Sequence, residues 1–519
     1  MKKLLAMLLA IVMVLSFAAC GTNEEPVDEP ADEPVDEPAD EPAEPTIVHV
    51  EHADWSDEVK KAINDFVDTY AFTENAYVVF DFDNTTSIFD IEEQLGVHQL
   101  QVMAFAFTPE EMPAILSTEI GDLNEARGTD YSVNDASYQD WIDDIVAAYS
   151  YLYDTYGPFN AAGLDEAGQA EIQADPMWLE FAAKMRAMYD LIYDNESPAV
   201  AYPWILYWFT GMTPDEVYAL ATASHTKYGA EESKYVEWVS PEIESKAGVV
   251  TTEWIHGVSV SENLVELYRV LDENGIDVWV CSASAIDPIR AAIDVFGLRD
   301  YVTGAIAMTR CKDEEGKYIN KYDYETGYGW KVIDGEWVEG DVALGHQTQG
   351  VGKVNAINSV IYPEYGVGPL AGFMDSTGDF NFCTEYANLK LVINFNRASR
   401  KVTDGGGVIA ELAVYQRDTL GYDLAAANAA GDTYYVLQGR EENGMRGLRP
   451  SDKTIRLDKE EELLFREDKN DQQLQYMIDN AMSTEEIINT FALSTAEEDS
   501  VLGFKYGFLS DYAGYHNIG

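Results

Sequence analysis

The chain has 519 residues, 46% of them apolar, so it is too long for one ordinary domain and rich enough in hydrophobic residues to fill a large core. Its 93 acidic and 33 basic residues leave a formal net charge of −60. That balance argues against a nucleic-acid partner, because phosphate backbones are held by lysine and arginine, and against direct electrostatic attraction to an anionic membrane.

Met1-Lys2-Lys3 is a basic start, and residues 4–17 form an apolar run too short for a membrane span. The run ends in Phe17-Ala18-Ala19-Cys20-Gly21. Small residues ahead of a cysteine resemble the lipobox of bacterial lipoproteins, although leucine is commoner than phenylalanine at the position of Phe17. The resemblance implies cleavage before Cys20, lipid on its thiol, and an extracytoplasmic protein anchored to the bacterial cell membrane. An ordinary signal peptide with a chance cysteine is the alternative. Cys281, Cys311 and Cys383 then remain, too few for a disulfide framework, and no cysteine and histidine stand at zinc-ligand spacing.

Residues 24–45 repeat EEPV, DEPA, DEPV, DEPA, DEPA. Like charges repel and proline excludes helix and sheet, so this stretch reads as an extended stalk. A folded body is expected from Ile47. Trp55, Val59, Ile63, Phe66 and Tyr70 fall on one helical face, with Ser56 as its cap. Tyr77 to Phe80 reads as a buried strand that stops at two aspartates. A helix with Leu264, Leu267, Tyr268 and Leu271 as its stripe ends at Gly275 and leads into a second strand, IDVWVCSAS. Pro288 is placed at the first position of the next helix, which runs to Gly297. GPLAGFMDSTGD reads as a third strand entering an acidic loop, and residues 389–397 as a fourth strand. Strands separated by helices predict a parallel α/β sheet, whose ligands bind beyond the carboxyl ends of the strands.

Nearly 200 residues separate the first two strands, far more than a crossover needs. They read as an inserted, mainly helical domain crowded with aromatics, among them Trp141, Tyr149, Tyr151, Tyr153, Tyr156, Trp178, Tyr202, Trp204, Tyr207, Trp208 and Trp238. Thr213-Pro214-Asp215-Glu216 is a capping box within it. The expected division is a signal segment at 1–19 and a stalk at 20–46. A core follows at 47–86 and 262–420, with the insert at 87–261 and an extension packed on the core at 421–519.

The chemistry gathers at strand ends. Asp81 and Asp83, two residues apart, are suited to one site, the first to attack phosphorus and the second to move protons. Acids this close repel and need a cation and donors around them. Ser282 offers a hydroxyl to a phosphate oxygen, Lys353 a positive charge, and Asp375 and Asp379 hard oxygens suited to Mg²⁺. Ser284 competes with Ser282 but also suits the start of the following helix. Lys331 competes with Lys353 but lies in GYGWKVIDGEW, which reads as a surface hairpin. The run GHQTQGVGK lacks the glycine spacing of a P-loop. By itself, an Asp-x-Asp after a strand also fits a turn, a sugar-transferase metal motif or a calcium loop.

Asp81-Phe82-Asp83-Asn84-Thr85 resembles the DxDxT motif of haloacid-dehalogenase phosphatases. VWVCS is similar to their second motif, Lys353 to the third, and Asp375-Ser376-Thr377-Gly378-Asp379 to the DxxxD form of the fourth. The resemblance covers roughly 75–86 and 262–397 and implies a Rossmann-like core with a cap inserted after the first strand. It implies Asp81 as nucleophile and Asp83 as general acid/base that lends Mg²⁺ its backbone carbonyl. Ser282 and Lys353 would hold the phosphoryl group, with Thr85 on the substrate, Asp375 on Mg²⁺ and Asp379 in support. Dehalogenases of this superfamily lack the second aspartate, so Asp83 favours a phosphatase.

DFDNTTSIFDIEEQL further resembles phosphorylcholine phosphatases, which carry paired acids after the catalytic loop. Glu92 and Glu93 would then hold a trimethylammonium group together with aromatic faces; the plain alternative is a solvated helix face. The expected substrate is a small phosphomonoester, phosphocholine or a related phosphoalkylamine. A broad surface phosphatase and a non-catalytic substrate-binding lipoprotein are the competing readings. Nothing in the sequence fixes an oligomeric state.

Overall fold

The computed structural model describes residues 45–489 apart from 128–130, 324–328, 344–346, 399–404 and 466–470. The expected signal segment, Cys20 and nearly all of the stalk lie outside the described residues. Among the described residues, no helix is long and apolar enough to cross a membrane.

Helix α1 (Asp57–Tyr70) starts where the sequence expects it: Ser56 Oγ accepts from Val59 N at 3.2 Å, and Val59, Ile63 and Phe66 are buried. Strand β1 (Tyr77–Phe80) is buried at all four residues, the pattern of a parallel strand covered on both faces. The chain then leaves the core. Its excursion contains α2 (Ile91–Val102), α3 (Tyr138–Tyr156), α4 (Pro176–Asn195) and α5 (Pro214–Gly229), with the Thr213 capping box formed as expected. It also contains an antiparallel hairpin, β2 (Lys234–Val239) and β3 (Thr251–His256), so the insert is not helical throughout. Most of its aromatics are core: Trp141, Tyr149, Trp204, Tyr207 and Trp208 are buried, and Trp178, Trp238 and Trp254 pack edge to face. Ser87–Ile88, on the way out, pairs antiparallel with Ser259–Val260, on the way back.

The core resumes with α6 (Glu262–Glu273), β4 (Asp277–Ala285) and α7 (Ile286–Val295). Strand β4 matches the expected run displaced by one residue, ending three residues past Ser282, and α7 starts two residues before Pro288. Next come β5 (Gly304–Met308), β6 (Gly329–Ile333), β7 (Glu336–Glu339), α8 (Val351–Val360), β8 (Ala371–Met374), β9 (Leu391–Phe395), α9 (Gly405–Tyr415) and β10 (Tyr434–Gln438). One sheet takes them in the order β7-β6-β5-β4-β1-β8-β9-β10. The pairs from β5 to β10 are parallel, and the β6–β7 hairpin adds an antiparallel edge. The predicted parallel α/β class is therefore the observed one. A boundary at 420 would cut through this sheet, since β10 lies beyond it.

Alternation along β1 divides the two faces. Val78 and Phe80 pack with Val59, Ile63 and Phe66 of α1, Leu264 and Leu267 of α6, and Ile289 of α7. Tyr77 and Val79 pack with Val354 and Ile357 of α8 and Ile409 and Leu412 of α9. Each such side chain contributes roughly 1.5–3 kcal/mol when fully buried. Phe80 and Phe373 stack at 3.7 Å between ring centroids, locking β1 to β8 directly beneath the next residue, Asp81. After β1 the chain builds the sheet outward through β4 and β5, then returns to β8 on the other side. The crevice at this reversal, at the carboxyl ends of β1, β4 and β8, is where ligands bind in such sheets.

Candidate active site

Asp81 follows β1 directly. Its backbone N–H continues the sheet pairing to Phe373 O at 3.0 Å, and its carbonyl accepts from Thr86 Oγ1 at 2.8 Å. The main chain there is fixed, and the carboxylate is fixed in turn. Lys353 Nζ donates to Asp81 Oδ1 and to Asp379 Oδ1, each at 2.6 Å, and Thr85 Oγ1 donates to Asp81 Oδ2 at 2.9 Å. Lys353 stands in the first turn of α8 and not in a loop as its glycine-rich surroundings suggest. Gly350 precedes that helix at φ 56°, ψ −131°, backbone that favours glycine, and its N–H reaches Gly378 O at 2.8 Å. This contact ties the lysine-bearing turn to the acidic loop. Lys331, the alternative, pairs with Glu364 on the β6–β7 hairpin.

Asp375 and Asp379 follow β8. Asp379 Oδ2 accepts from the backbone N–H groups of Asp375 and Ser376 at 3.4 and 3.3 Å. One Asp379 oxygen thus serves Lys353 and the other the loop, a supporting position. Asp375 accepts from Arg397 Nη1 at 3.0 Å and lies 3.4 Å from Thr85 Oγ1. Asp81, Asp375 and Asp379 are all buried and each offers an oxygen within 4.8 Å of the others. An all-oxygen, carboxylate-rich donor set of this kind fits a hard divalent cation such as Mg²⁺.

Asp83 is held differently. Its Oδ1 accepts from Ile91 N at 2.8 Å, the first N–H of α2, and its Oδ2 accepts from Ser284 Oγ at 2.7 Å and from Ser282 Oγ at 3.3 Å. Ser284 therefore does not cap the following helix, whose N-cap is Ala285 and carries no side-chain cap. Its role was legible in principle: residues two apart on a strand share a face, and β4 continues through both serines.

The electrostatics separate the two aspartates' neighbours. Burial pushes the Asp81 carboxyl up, the Lys353 ammonium pulls it down, and the Asp375 charge raises it again. Burial and the Asp81 charge push Asp83 up to about 7. Burial and the same Asp81 charge push Asp379 up to about 7. Burial opposes the charge on Lys353, but Asp379 and Asp81 outweigh it and hold the ammonium above its usual value. The cluster is a pair of proton-poised acids around a firmly charged lysine, short of positive charge by itself.

The paired acids of the insert part company. Glu92 is buried, its Oε1 accepts from Ala285 N at 3.0 Å, and burial followed by the Asp90 charge pushes it up to about 8. Glu93 lies 3.2 Å from the buried Arg186. Glu92 does not belong to a solvated helix face, whereas the Glu93 side chain is 42% exposed. Asp90, which caps α2 by accepting from Glu92 N and Glu93 N, joins them, and burial and the charges of Asp83 and Glu93 push it well above the carboxylate range. Tyr189 and Tyr202 both feel the charges of Asp90 and Glu93. Asp90 heads the Asp-Ile-Glu-Glu run of the resemblance, whereas Tyr189 carries no motif that singles it out in the sequence.

No protein-family model matches the chain, and no curated protein matches it by sequence. Among solved structures it is similar to a conserved, functionally unknown protein from Anaerococcus prevotii DSM 20548. The TM-score is 0.62 at 24% identity, over 78% of this chain and 98% of that one. A cytosolic 5'-nucleotidase IIIB bound to cytidine aligns over 66% of this chain and 78% of that one at 13% identity, with a TM-score of 0.26, too low to carry an argument. The chain thus has the fold of the Anaerococcus protein, an α/β sheet with its acidic cluster at the point where strand order reverses.

Proposed function

We propose that the chain is a phosphomonoesterase of the haloacid-dehalogenase type that works through an aspartyl phosphate on Asp81. The observation that carries the reading is the strand-end constellation: Asp81 and Asp379 on Lys353, Asp375 beside them, and Asp83 across the loop on Ser282 and Ser284. Asp81 attacks phosphorus and the bond to the leaving oxygen breaks, while Asp83, kept protonated near neutrality, gives that oxygen its proton. Asp83 then takes a proton from water, whose oxygen attacks phosphorus. The acyl phosphate opens to inorganic phosphate and the Asp81 carboxylate. Lys353 balances charge on the transferring group, and the Ser282 hydroxyl is within reach of Asp83 to orient it. Mg²⁺, held by Asp81, Asp375 and the Asp83 carbonyl with Asp379 in support, would neutralise charge on the phosphoryl oxygens when bound.

The organic part of the substrate belongs to the same proposal. Burial and the charges of Asp83 and Glu93 raise the proton affinity of Asp90, and Arg186 is the cation bonded to Glu93 at this end of the insert. Tyr189 and Tyr202 stand beside them, and an aromatic face attracts a quaternary ammonium by about 0.5–2 kcal/mol. A phosphoalkylamine, phosphocholine among them, suits that combination. The counter-charge falls to Glu93, since burial raises the proton affinity of Glu92 and Asp90 alike.

The test is phosphate release from phosphocholine, phosphoethanolamine, phosphoserine, sugar phosphates and p-nitrophenyl phosphate, with and without Mg²⁺. Turnover that needs Mg²⁺ and is lost in Asp81→Asn is expected, by about 10⁴-fold or more. No turnover on any ester would refute the phosphatase reading and favour a binding protein. Glu93→Ala should lower the phosphocholine rate about tenfold relative to p-nitrophenyl phosphate; an unchanged ratio removes the ammonium site and leaves a broad phosphatase. The lipid anchor and extracytoplasmic location are proposals of the same standing: fatty-acid labelling of the chain should vanish in Cys20→Ser, and labelling that persists rejects Cys20 as the anchor.

A further inference from the structure

Arg440 lies just past β10, more than 300 residues from Asp81 in sequence, and only 1% of it is exposed. Its Nη1 donates to Asn84 O at 2.9 Å, and its Nη2 reaches Asn84 Oδ1 at 3.4 Å. Asn84 sits between Asp83 and Thr85 at φ 61°, a left-handed conformation that costs a non-glycine residue about 1 kcal/mol. A chain held there needs something to hold it. The guanidinium is itself held: Glu442 Oε1 accepts from Arg440 Nε at 2.8 Å and Nη2 at 2.6 Å, and Glu442 Oε2 accepts from Leu457 N at 3.1 Å. The Arg440 backbone N–H donates to Thr454 Oγ1 at 3.1 Å, and that hydroxyl donates to Asn396 O. The next residue, Arg397, bonds Asp375. One segment of the extension therefore braces both loops that carry site carboxylates, and the Asp375 charge acts on the Arg440 guanidinium as well.

We propose that Arg440 is a positioning residue of the phosphatase site, acting through Asn84 to fix the left-handed turn that sets Asp83 against Asp81. The inference rests on the reading of those two aspartates as the reacting pair. Burying an arginine is expensive even when it is paired, and a strap that only fastened the extension has a less costly solution elsewhere in the fold. Arg417 is that solution: it joins Asp452 at 2.7 Å to Glu58 at 3.3 Å on α1, half in solvent and away from the site. Arg440 instead uses a rigid, five-donor fork to join Glu442 to the backbone carbonyl and side-chain oxygen of Asn84.

The experiment uses the full chain and compares Arg440→Met, Arg440→Lys and Arg417→Met for kcat, KM, far-UV circular dichroism and Tm. Arg440→Met should lower kcat about 100-fold with KM within about threefold, because a misplaced general acid slows chemistry without weakening phosphate binding. Lysine has no fork to span Asn84 and Glu442 together, so Arg440→Lys should keep the fold and lose about tenfold in kcat. Arg417→Met should lower Tm and leave kcat as it was. A folded Arg440→Lys or Arg440→Met with parental kcat overturns the inference, as does a loss of kcat in Arg417→Met that tracks Tm in the same way. Those results leave the phosphatase reading standing; an inactive parent chain removes both.

Discussion

Two buried lysines in this molecule each lie between two carboxylates, and they do opposite things. Lys184, on α4, bonds Asp144 of α3 at 2.9 Å and Glu180 one turn away on its own helix. Asp144 also accepts from Lys246 N at 2.9 Å and Ala247 N at 2.8 Å, in the turn between β2 and β3. That network joins two helices and a hairpin of the insert, and its cation and donors are spent on the joint. Lys353 also holds two carboxylates, and a third, Asp375, stands among them on Arg397. Burial raises the proton affinity of Asp81 and Asp379, and so do the neighbouring carboxylates. The Lys184 network fastens elements of the insert to one another, whereas the Lys353 network gathers three carboxylates at the crevice beyond the strand ends, a donor set suited to a cation.

Lys353→Met tests that contrast most severely. It should lower kcat by about 100- to 1,000-fold through lost charge on the transferring group. It should also cost about 3–5 kcal/mol in urea unfolding, because Asp81 and Asp379 lose their cation while buried. Lys184→Met should cost a similar 3–5 kcal/mol and leave kcat unchanged. If Lys184→Met also reduced kcat in chain that remains folded, the division between joint and site would be wrong.

Glu92 sharpens the same comparison from the other side, as a buried carboxylate with no lysine bonded to it. Its folded-state affinity for protons is raised from the usual 4.5 to about 8. Between those values the unfolded chain is ionised and the folded one is not, so folding stability is lost as pH rises through the window. Glu92→Gln never ionises and retains the acceptor for Ala285 N. The variant should match the parent near pH 4.5 and exceed it by roughly 4–5 kcal/mol near pH 8. Tm curves that stay parallel across that range would show that Glu92 ionises in the folded state.

The sequence made the strands that end in acids legible, because β1, β4, β8 and β9 are short apolar runs that stop at polar residues. The Ser56 and Thr213 caps were legible for the same local reason: the signal and its partner lie within three residues. Ser284 was misread because its direction depends on β4 continuing past Ser282 through an irregularity in its pairing with β5. The hairpin of the insert was missed because only Trp238 is buried along β2, leaving no clear alternation of apolar and polar residues. Arg440 had no local signal at all; its partner Asn84 is 356 residues away.

The short ladder of Ser87–Ile88 with Ser259–Val260 sets a limit on how the molecule can be remodelled. Facing residues of such a pair lie about 5 Å apart, so a tight turn is long enough to replace everything between them and leave the sheet topologically complete. Such a shortened chain would lack Ile91, whose N–H is bonded to Asp83. The insert is therefore not a detachable lid over a self-sufficient core: swapping it for another means supplying a new donor to Asp83 in the same stroke.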